Sequence, residues 1–382
     1  LCTLTNCYPD HEDIQGPAGF NVANVITEFI PTKSTLVTSE TSYLPLFVDV
    51  AAARGTTMYT IGERDAELIA NDVLDLFPYR EHPRNIALVT RVAHELGLDP
   101  DLARLTMAQS VVPDMGVLKV YGPARVRGRD LTFVCGNSAN ERTGFVNNWR
   151  RMKLDRMDQE GEPHKLVITV VNNRADRVAR SEVFARILVR DVEFDRHVLI
   201  GTNLKGLRGF IETALDTYLG ELSLIEPDEL PTSAGPVPDV VATRFLRQFQ
   251  KLRIPPTDAN ALLTRLDIWA KGCQAAVTDD GRAAVGAALA ALLQKDGATE
   301  WPAVLAEVSG DAGVRDAVNA ALVEAPSPTR LPESLLAPNK DALHEFIAFD
   351  LARMVVRARI ERRLTALFTT PSAAARTELT QA

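Results

Sequence analysis

The residues best placed to do chemistry fall in three short stretches. Near the start, Asp10, His11, Glu12 and Asp13 follow the strand-like run Leu1–Asn6. Carboxylates beside an imidazole suit a hard cation such as Mg2+ or Mn2+, and at a strand's carboxyl end they leave room for phosphate oxygens. The same four residues also read as a solvated acidic loop. Cys2, Cys7 and His11 invite a zinc reading, but no fourth ligand stands at a usual spacing. Farther on, Asn85 lies in the first turn of a helix started by Pro83, where its amide can reach the edge of a base or cap the helix. The third stretch, Asn172, Asn173, Arg174, Asp176 and Arg177, is a polar turn between an aliphatic run and a helical pattern. An open α/β sheet presents its ligand at such a place, the carboxyl end of a strand.

Elements must hold these residues, and hydrophobic spacing says which. LVITVV at 166–171 is short and unbroken, as in a strand buried on both faces; Val178, Val183, Phe184, Ile187 and Leu188 then return at helical spacing. Similar strand–turn–helix units at Leu131–Trp149 and His197–Phe210 extend the pattern to a parallel sheet. Upstream, a helix through Val22–Phe29 precedes short strands at Thr35–Ser39 and Thr56–Ile61, with a helical Leu44–Ala53 between them. The helix from Pro83 runs to Leu96, with Gly97 as its stop. Val117–Tyr121 and Asp130–Cys135 flank PARVRGR, the expected crossing between two domains. Beyond Ile225, EPDELPTSAGPVPD reads as a linker and the remainder as all-helical, at 259–271, 281–295, 311–324 and 341–368. Near the end of that last helix Arg357, Arg359, Arg362 and Arg363 read as a solvated face, or else as a docking surface for a membrane subunit.

Composition narrows the class. A chain of 382 residues fits two or three domains, and its net charge of −8 offers no basic stripe for nucleic acid. The longest charge-free apolar run of the second half, Ala283–Leu293, has 11 residues and is too short to span a bilayer. Cysteines at 2, 7, 135 and 273 show no disulfide framework, which points to a reducing, cytoplasmic setting. No signal-peptide pattern precedes the first strand, and the opening at Leu1 reads as the middle of a domain.

Five ordered motifs run through the first half. Asn6, Asp10, His11 and Asp13 form Asn-x-x-x-Asp-His-x-Asp, followed by Gly16-Pro17; Asn85 opens a helix that ends in Leu96-Gly97. Pro113, Asp114 and Gly116 lead to the basic Lys119. FVCGNSANERTGFVNNW ends at Trp149, and Asn-x-Arg-Ala-Asp-Arg-Val spans Asn172–Val178, with Leu199–Gly201 following. In this order they resemble the ATP-dependent amide ligases of the Mur and folylpolyglutamate synthetase superfamily. The nearest likeness is to the ligase subunit of capsule-type poly-γ-glutamate synthases, the CapB or PgsB type.

That resemblance implies an α/β fold: a partial Mur-ligase-like central ATPase domain at 1–124 and a Rossmann-like C-terminal ligase domain at 125–225. A Pro-rich linker at 226–245 and a helical extension at 246–382 follow. It implies a reaction in which ATP phosphorylates a carboxylate and an amine attacks the acyl phosphate, both groups coming from glutamate or a growing glutamyl polymer. His11 would help bind Mg2+ with Asp10, Asn85 would face adenine, and Lys119 would stand near the nucleotide phosphates. Asn140 belongs to the nucleotide-binding segment, or else caps the following helix. From charge and place, Arg174 and Arg177 could clamp glutamyl carboxylates, and Asp176 could orient one of them or take the amine. The same Arg-Ala-Asp-Arg also reads as an interdomain salt-bridge cluster, and Trp149 as core.

The family's upstream glycine-rich phosphate loop has no counterpart in these residues. Gly201–Gly206 has its glycine spacing but continues Leu207-Arg208, and reads as a turn. Partners would be a membrane subunit of a polymer synthase at the inner face of the membrane, with an oligomer open. The other expectations are a non-catalytic nucleotide-binding or scaffolding subunit, and a Mur-type ligase with a different substrate.

Overall fold

The computed structural model describes residues 1–8, 15–16, 19–126, 129–157, 162, 165–272, 275–324 and 340–380. Near the amino end Cys2–Leu4 (β1), Thr35–Thr38 (β2) and Thr57–Thr60 (β3) form a parallel sheet in that order, with Leu36 opposite both Cys2 and Met58. In the middle strand the pleat sends Leu36 to one face and Val37 to the other, and both are fully buried. Such a strand needs cover on both sides. On the Leu36 side Gly19–Thr27 (α1) and Leu44–Ala53 (α2) supply Val22, Ala23, Phe47 and Ala51. On the Val37 side lie Glu63–Glu67 (α3), Asn71–Asp75 (α4), Pro83–Glu95 (α5) and Pro100–Ser110 (α6), with Ile86, Leu88 and Ala108 in the core. Helix α5 stops as its sequence suggests: Leu96 caps it and Gly97 follows in the left-handed region at φ 71°.

The chain divides into two compact units. The first gathers Leu1–Ala124, Thr132–Met152 and Asp176–Ile187; the second gathers Arg125–Leu131, Lys153–Ala175 and Leu188–Ala382. Lys119–Val126 (β4) and Arg129–Cys135 (β5) pair with each other in a sheet of two strands. The strand–turn–helix units therefore do not share one sheet: β5 takes its neighbour in sequence, the partner with the smallest loop-closure cost. In the first unit Arg142–Arg151 (α7) buries Trp149 against Phe145, ring centres 6.2 Å apart. Phe145 in turn meets Phe184 of Val178–Arg186 (α8) edge-on at 5.4 Å.

In the second unit Ile168–Asn173 (β6) and Arg196–Gly201 (β7) pair in parallel, Ile168 opposite Arg196 and Asn173 opposite Gly201. Burial on both faces was the expectation for β6, and it does not hold. Thr169, Val171 and Asn173 are buried, but Ile168 and Val170 are 52% and 51% exposed, because this sheet of two strands is covered on one face only. Leu204–Glu221 (α9) follows β7.

The remainder is mostly helical: Asp239–Lys251 (α10), Ala259–Gly272 (α11), Asp279–Gln294 (α12), Trp301–Gly310 (α13), Ala312–Ala321 (α14), Lys340–Thr369 (α15) and Ala373–Thr380 (α16). It is not all-helical. Ala275–Val277 (β8) and Leu322–Glu324 (β9) pair antiparallel, so the helix expected to reach residue 324 ends at Ala321, whose carbonyl accepts from Thr278 N at 3.0 Å. Leu262, Leu266, Leu289, Val304, Val318 and Leu351 form one core of these helices. Within the stretch read as a linker, Leu230 and Val237 pack against a second core of Val241, Phe245, Leu364 and Leu367.

The arginine run of α15 is not the simple solvated face expected for it. Arg357 and Arg359 are buried. Arg359 Nε donates to Lys295 O at 3.1 Å and its Nη1 to Ala298 O at 2.7 Å, while Arg362 Nη2 donates to Lys295 O at 2.9 Å. Arg363 reaches Gly297 O and Thr299 Oγ1 at 3.0 and 2.8 Å. These cations close the carboxyl end of α12, where unpaired carbonyls and the helix dipole both favour positive charge. Among the described residues no helix is long and apolar enough to cross a membrane.

Candidate functional site

In the first unit the strands β1 to β3 direct their carboxyl ends toward one edge, and a buried carboxylate organises it. Glu40, just past β2 and 3% exposed, accepts from the backbone N–H of Cys7 at 2.7 Å, Ser42 at 2.5 Å and Tyr43 at 3.1 Å. Ser39 Oγ adds a bond to Thr5 O at 2.7 Å, so the segment leaving β1 is fixed to the end of β2. Sequence reasoning passed over Glu40. Its signal is an acidic residue directly after a buried strand.

Burial, helped by the Glu40 charge and hydrogen bond, pushes the Cys7 thiol up to about 12, which removes it as a nucleophile. Burial also raises the Tyr8 hydroxyl; Arg84 opposes this, and Glu141 and Glu40 reinforce it. The end of β1 thus stands in the field of residues at the starts of α5 and α7. His11, Asp10 and Asp13 lie outside the described residues. Among the described residues no group of three or more His, Cys, Asp or Glu is arranged to hold a metal ion.

Three loops meet around Asn85, Lys119 and Asn140. Arg80 N donates to Leu118 O at 2.7 Å, which ties the approach to α5 to the start of β4. From α7, Arg151 Nη2 donates to Arg80 O at 2.9 Å and Glu81 O at 2.8 Å. Ser138 N donates to Gly116 O at 2.8 Å; a Cβ on Gly116 would come within 3.0 Å of Ser138 N, so glycine permits this approach. The stitching brings the loops of all three predicted nucleotide residues together.

Asn85 does not cap α5. That role falls to His82, whose Nδ1 accepts from Arg84 N at 3.2 Å. Asn85 Nδ2 instead donates to Glu81 Oε1 at 2.9 Å, and Glu81 also accepts from His82 N at 2.7 Å and Tyr79 Oη at 2.5 Å. The exposed amide keeps its oxygen and one N–H, a pair that matches the donor and acceptor of an adenine edge. Lys119 is half-buried with its Nζ 5.2 Å from the Tyr121 ring centre, a cation of the kind that a phosphate would need. These residues fit a nucleotide. Asn140 is not a helix cap either: Glu141, one residue later, accepts from Thr143 N and Gly144 N at 2.6 and 2.5 Å.

The Asn-Arg-Ala-Asp-Arg turn crosses the division between the units, after Ala175. In the second unit Asn173 is a bolt: its Nδ2 donates to Thr202 O at 2.8 Å, and Thr202 N returns a bond to Asn173 O at 2.9 Å. Ala175 N donates to Thr202 Oγ1 at 2.9 Å. Gly201, at φ 96°, must be glycine, since a Cβ would fall 2.1 Å from Asn173 O. The Gly201–Gly206 segment is the turn into α9, closed by Asn203 Oδ1 accepting from Gly206 N at 3.3 Å.

Asn172 and Arg174 are exposed at the carboxyl end of β6. In the first unit Arg177 Nε lies 3.8 Å from Asp176 Oδ2, without a hydrogen bond. Helix α8 begins at Val178, so the spacing of three between Arg174 and Arg177 is bridged by a turn and not by a helical face.

Comparison with known proteins bears on this constellation. Residues 120–250 match the family model for the poly-γ-glutamate synthase CapB C-terminal domain. The chain is 32% identical over 198 residues to a capsule biosynthesis protein CapB of Bacillus anthracis, covering 52% of this chain and 40% of that protein. It is 31% identical over 198 residues to a PGA synthase CapB of Bacillus subtilis (strain 168), covering 52% of this chain and 48% of that protein. The chain thus spans less than half the length of these relatives. No solved structure matches it.

Proposed function

The chain belongs to the CapB-type family, and on that footing we propose that it works in poly-γ-glutamate synthesis as an ATP-dependent amide ligase. It would join glutamate, or the end of a glutamyl polymer, through the side-chain carboxylate by way of an acyl phosphate. The observation that carries this reading is the family match over 120–250, which includes the Asn-Arg-Ala-Asp-Arg turn at the carboxyl end of β6. A Mur-like central domain and a Rossmann-like ligase domain are the architecture the proposal assumes.

Phosphoryl transfer depends on positioning and on cations that meet charge spread over the transferring oxygens. ATP would supply the phosphoryl group, and Mg2+, held by His11 with Asp10, would neutralise its charge. Asn85 would hold the adenine edge, Lys119 the phosphates, and the Asn140 loop would line the same nucleotide. Arg174 and Arg177 would bind glutamyl carboxylates, and Asp176 would orient the incoming amine. A membrane subunit of a polymer synthase is the partner this work calls for, with the chain at the inner face of the membrane.

The test is glutamate-dependent ADP formation by the protein at its native length. His11→Ala should abolish it; unchanged turnover would sink the metal assignment. Arg174→Gln and Arg177→Gln should each raise KM for glutamate about tenfold, the loss of one charge-assisted contact. Mg-ATP binding with no turnover on any amino acid would replace the ligase by a scaffolding subunit, and turnover on another acceptor alone would change the substrate.

A further inference from the structure

Met115 fills the variable place of the Pro-Asp-x-Gly turn between α6 and β4, and its side chain stands clear of the protein, 91% exposed. Val112, just before the turn, is 88% exposed. Exposed apolar side chains are ordinary on a protein surface and carry little by themselves. What distinguishes this pair is how firmly the backbone beneath it is held, and against what.

Met115 N donates to Asp114 Oδ1 at 2.7 Å, and Met115 O accepts from the Cys135 thiol at 3.4 Å. The next carbonyl, Gly116 O, accepts from Ser138 N at 2.8 Å, two residues before Asn140. Leu118 O accepts from Arg80 N at 2.7 Å, five residues before Asn85, and Lys119 follows directly. The turn is therefore sewn on one side to the loop of Asn140 and on the other to the approach that carries Asn85, all within the first unit. A fixed backbone thus offers a bare thioether side chain among the loops of the three nucleotide candidates.

Those three residues leave one part of a nucleotide unaccounted for. Asn85 offers a donor and an acceptor to the edge of adenine, and Lys119 a charge to the phosphates. A purine also has two flat faces, and covering one of them is a main source of affinity. We propose, resting on the nucleotide reading of Asn85, Lys119 and Asn140, that Met115 with Val112 beside it is the platform for a face of the purine ring. A thioether is polarisable and flexible enough to lie along a ring, and sulfur–aromatic contact adds to the area covered. The platform is blind to the base edge: it supplies affinity for purines, while Asn85 selects among them.

The experiment uses the protein at its native length with its methionine methyls labelled with 13C, and Met115→Leu identifies the signal of Met115 by its loss. Mg-ATP should move that signal upfield, the direction a ring current imposes above an aromatic face, and inorganic tripolyphosphate should leave it in place. Titration supplies a second readout. Met115→Ser should weaken ATP and GTP about tenfold each, leave tripolyphosphate binding unchanged, and keep Tm, because the exposed side chain holds no packing. Met115→Leu should restore most of the affinity. If ATP binds while the Met115 methyl stays where it was, or binds Met115→Ser as it binds the parent, the platform is overturned and the nucleotide site still stands. A parent protein that binds no nucleotide would overturn the platform together with the reading it rests on.

Discussion

Arg359 grips Glu307 with both terminal nitrogens, Nη1 at 2.9 Å and Nη2 at 2.8 Å, and its side chain is only 2% exposed. The same guanidinium holds the carbonyls of Lys295 and Ala298, so one side chain joins α15, α13 and the end of α12. Removing one partner of a buried pair costs roughly 3–5 kcal/mol, and Glu307, being 35% exposed and able to rehydrate, sets the lower end. Arg359→Ala should therefore lower the unfolding free energy by about 3 kcal/mol in urea, with an unchanged m value. Arg359→Lys restores charge but not the fork, and should recover less than half of that loss. A variant as stable as the parent would show that the grip contributes nothing.

A second prediction concerns pH. Burial pulls His197 down to about 4 from an ordinary 6.5, and Thr169 Oγ1 meets its Nδ1. The unfolded chain takes up a proton below about 6.5, whereas the folded chain waits until about 4. Between those values the unfolded state binds more protons, so stability falls as pH drops, by at most ~1.4 kcal/mol per pH unit from this group. Urea midpoints at pH 7, 6 and 5 should show the decline, and His197→Gln should flatten part of it. Equal slopes in the two proteins would mean that His197 is not held neutral.

The contrast between these two residues marks what the sequence makes legible. The strand carrying Thr169 declares itself by an aliphatic run, and α5 by Pro83 at its start and Gly97 at its end, because those signals are local. Arg359 looks like surface charge because its partners, the carbonyls of Lys295 and Ala298, lie some sixty positions upstream. Nothing within a helical turn of Arg359 announces them. Caps fail for a related reason: Asn85 and Asn140 are apt cap types, but His82 and Glu141 occupy the geometry. The exposed face of β6 was hidden too, since Ile168 and Val170 carry no mark of how many strands will join their sheet.

The last prediction joins Glu81 to Asn85 and rests on the nucleotide role proposed for Asn85. Glu81 Oε1 accepts from Asn85 Nδ2 at 2.9 Å and thereby fixes which way the amide faces. An amide free to flip would offer its donor and acceptor in either order, so Glu81→Ala should lose discrimination along with affinity. ATP binding should weaken about tenfold, equal to ~1.4 kcal/mol, while GTP binding changes little. A merely structural role would weaken both nucleotides alike, and that outcome would remove Glu81 as a positioning residue. An independent check follows from Tyr79, whose hydroxyl is held well above the usual phenol range by burial first and by Glu81 second. In Glu81→Ala its ultraviolet titration should move toward lower pH. If that shift appears while ATP and GTP are bound as before, the carboxylate has been removed from its place and Asn85 does not read the base.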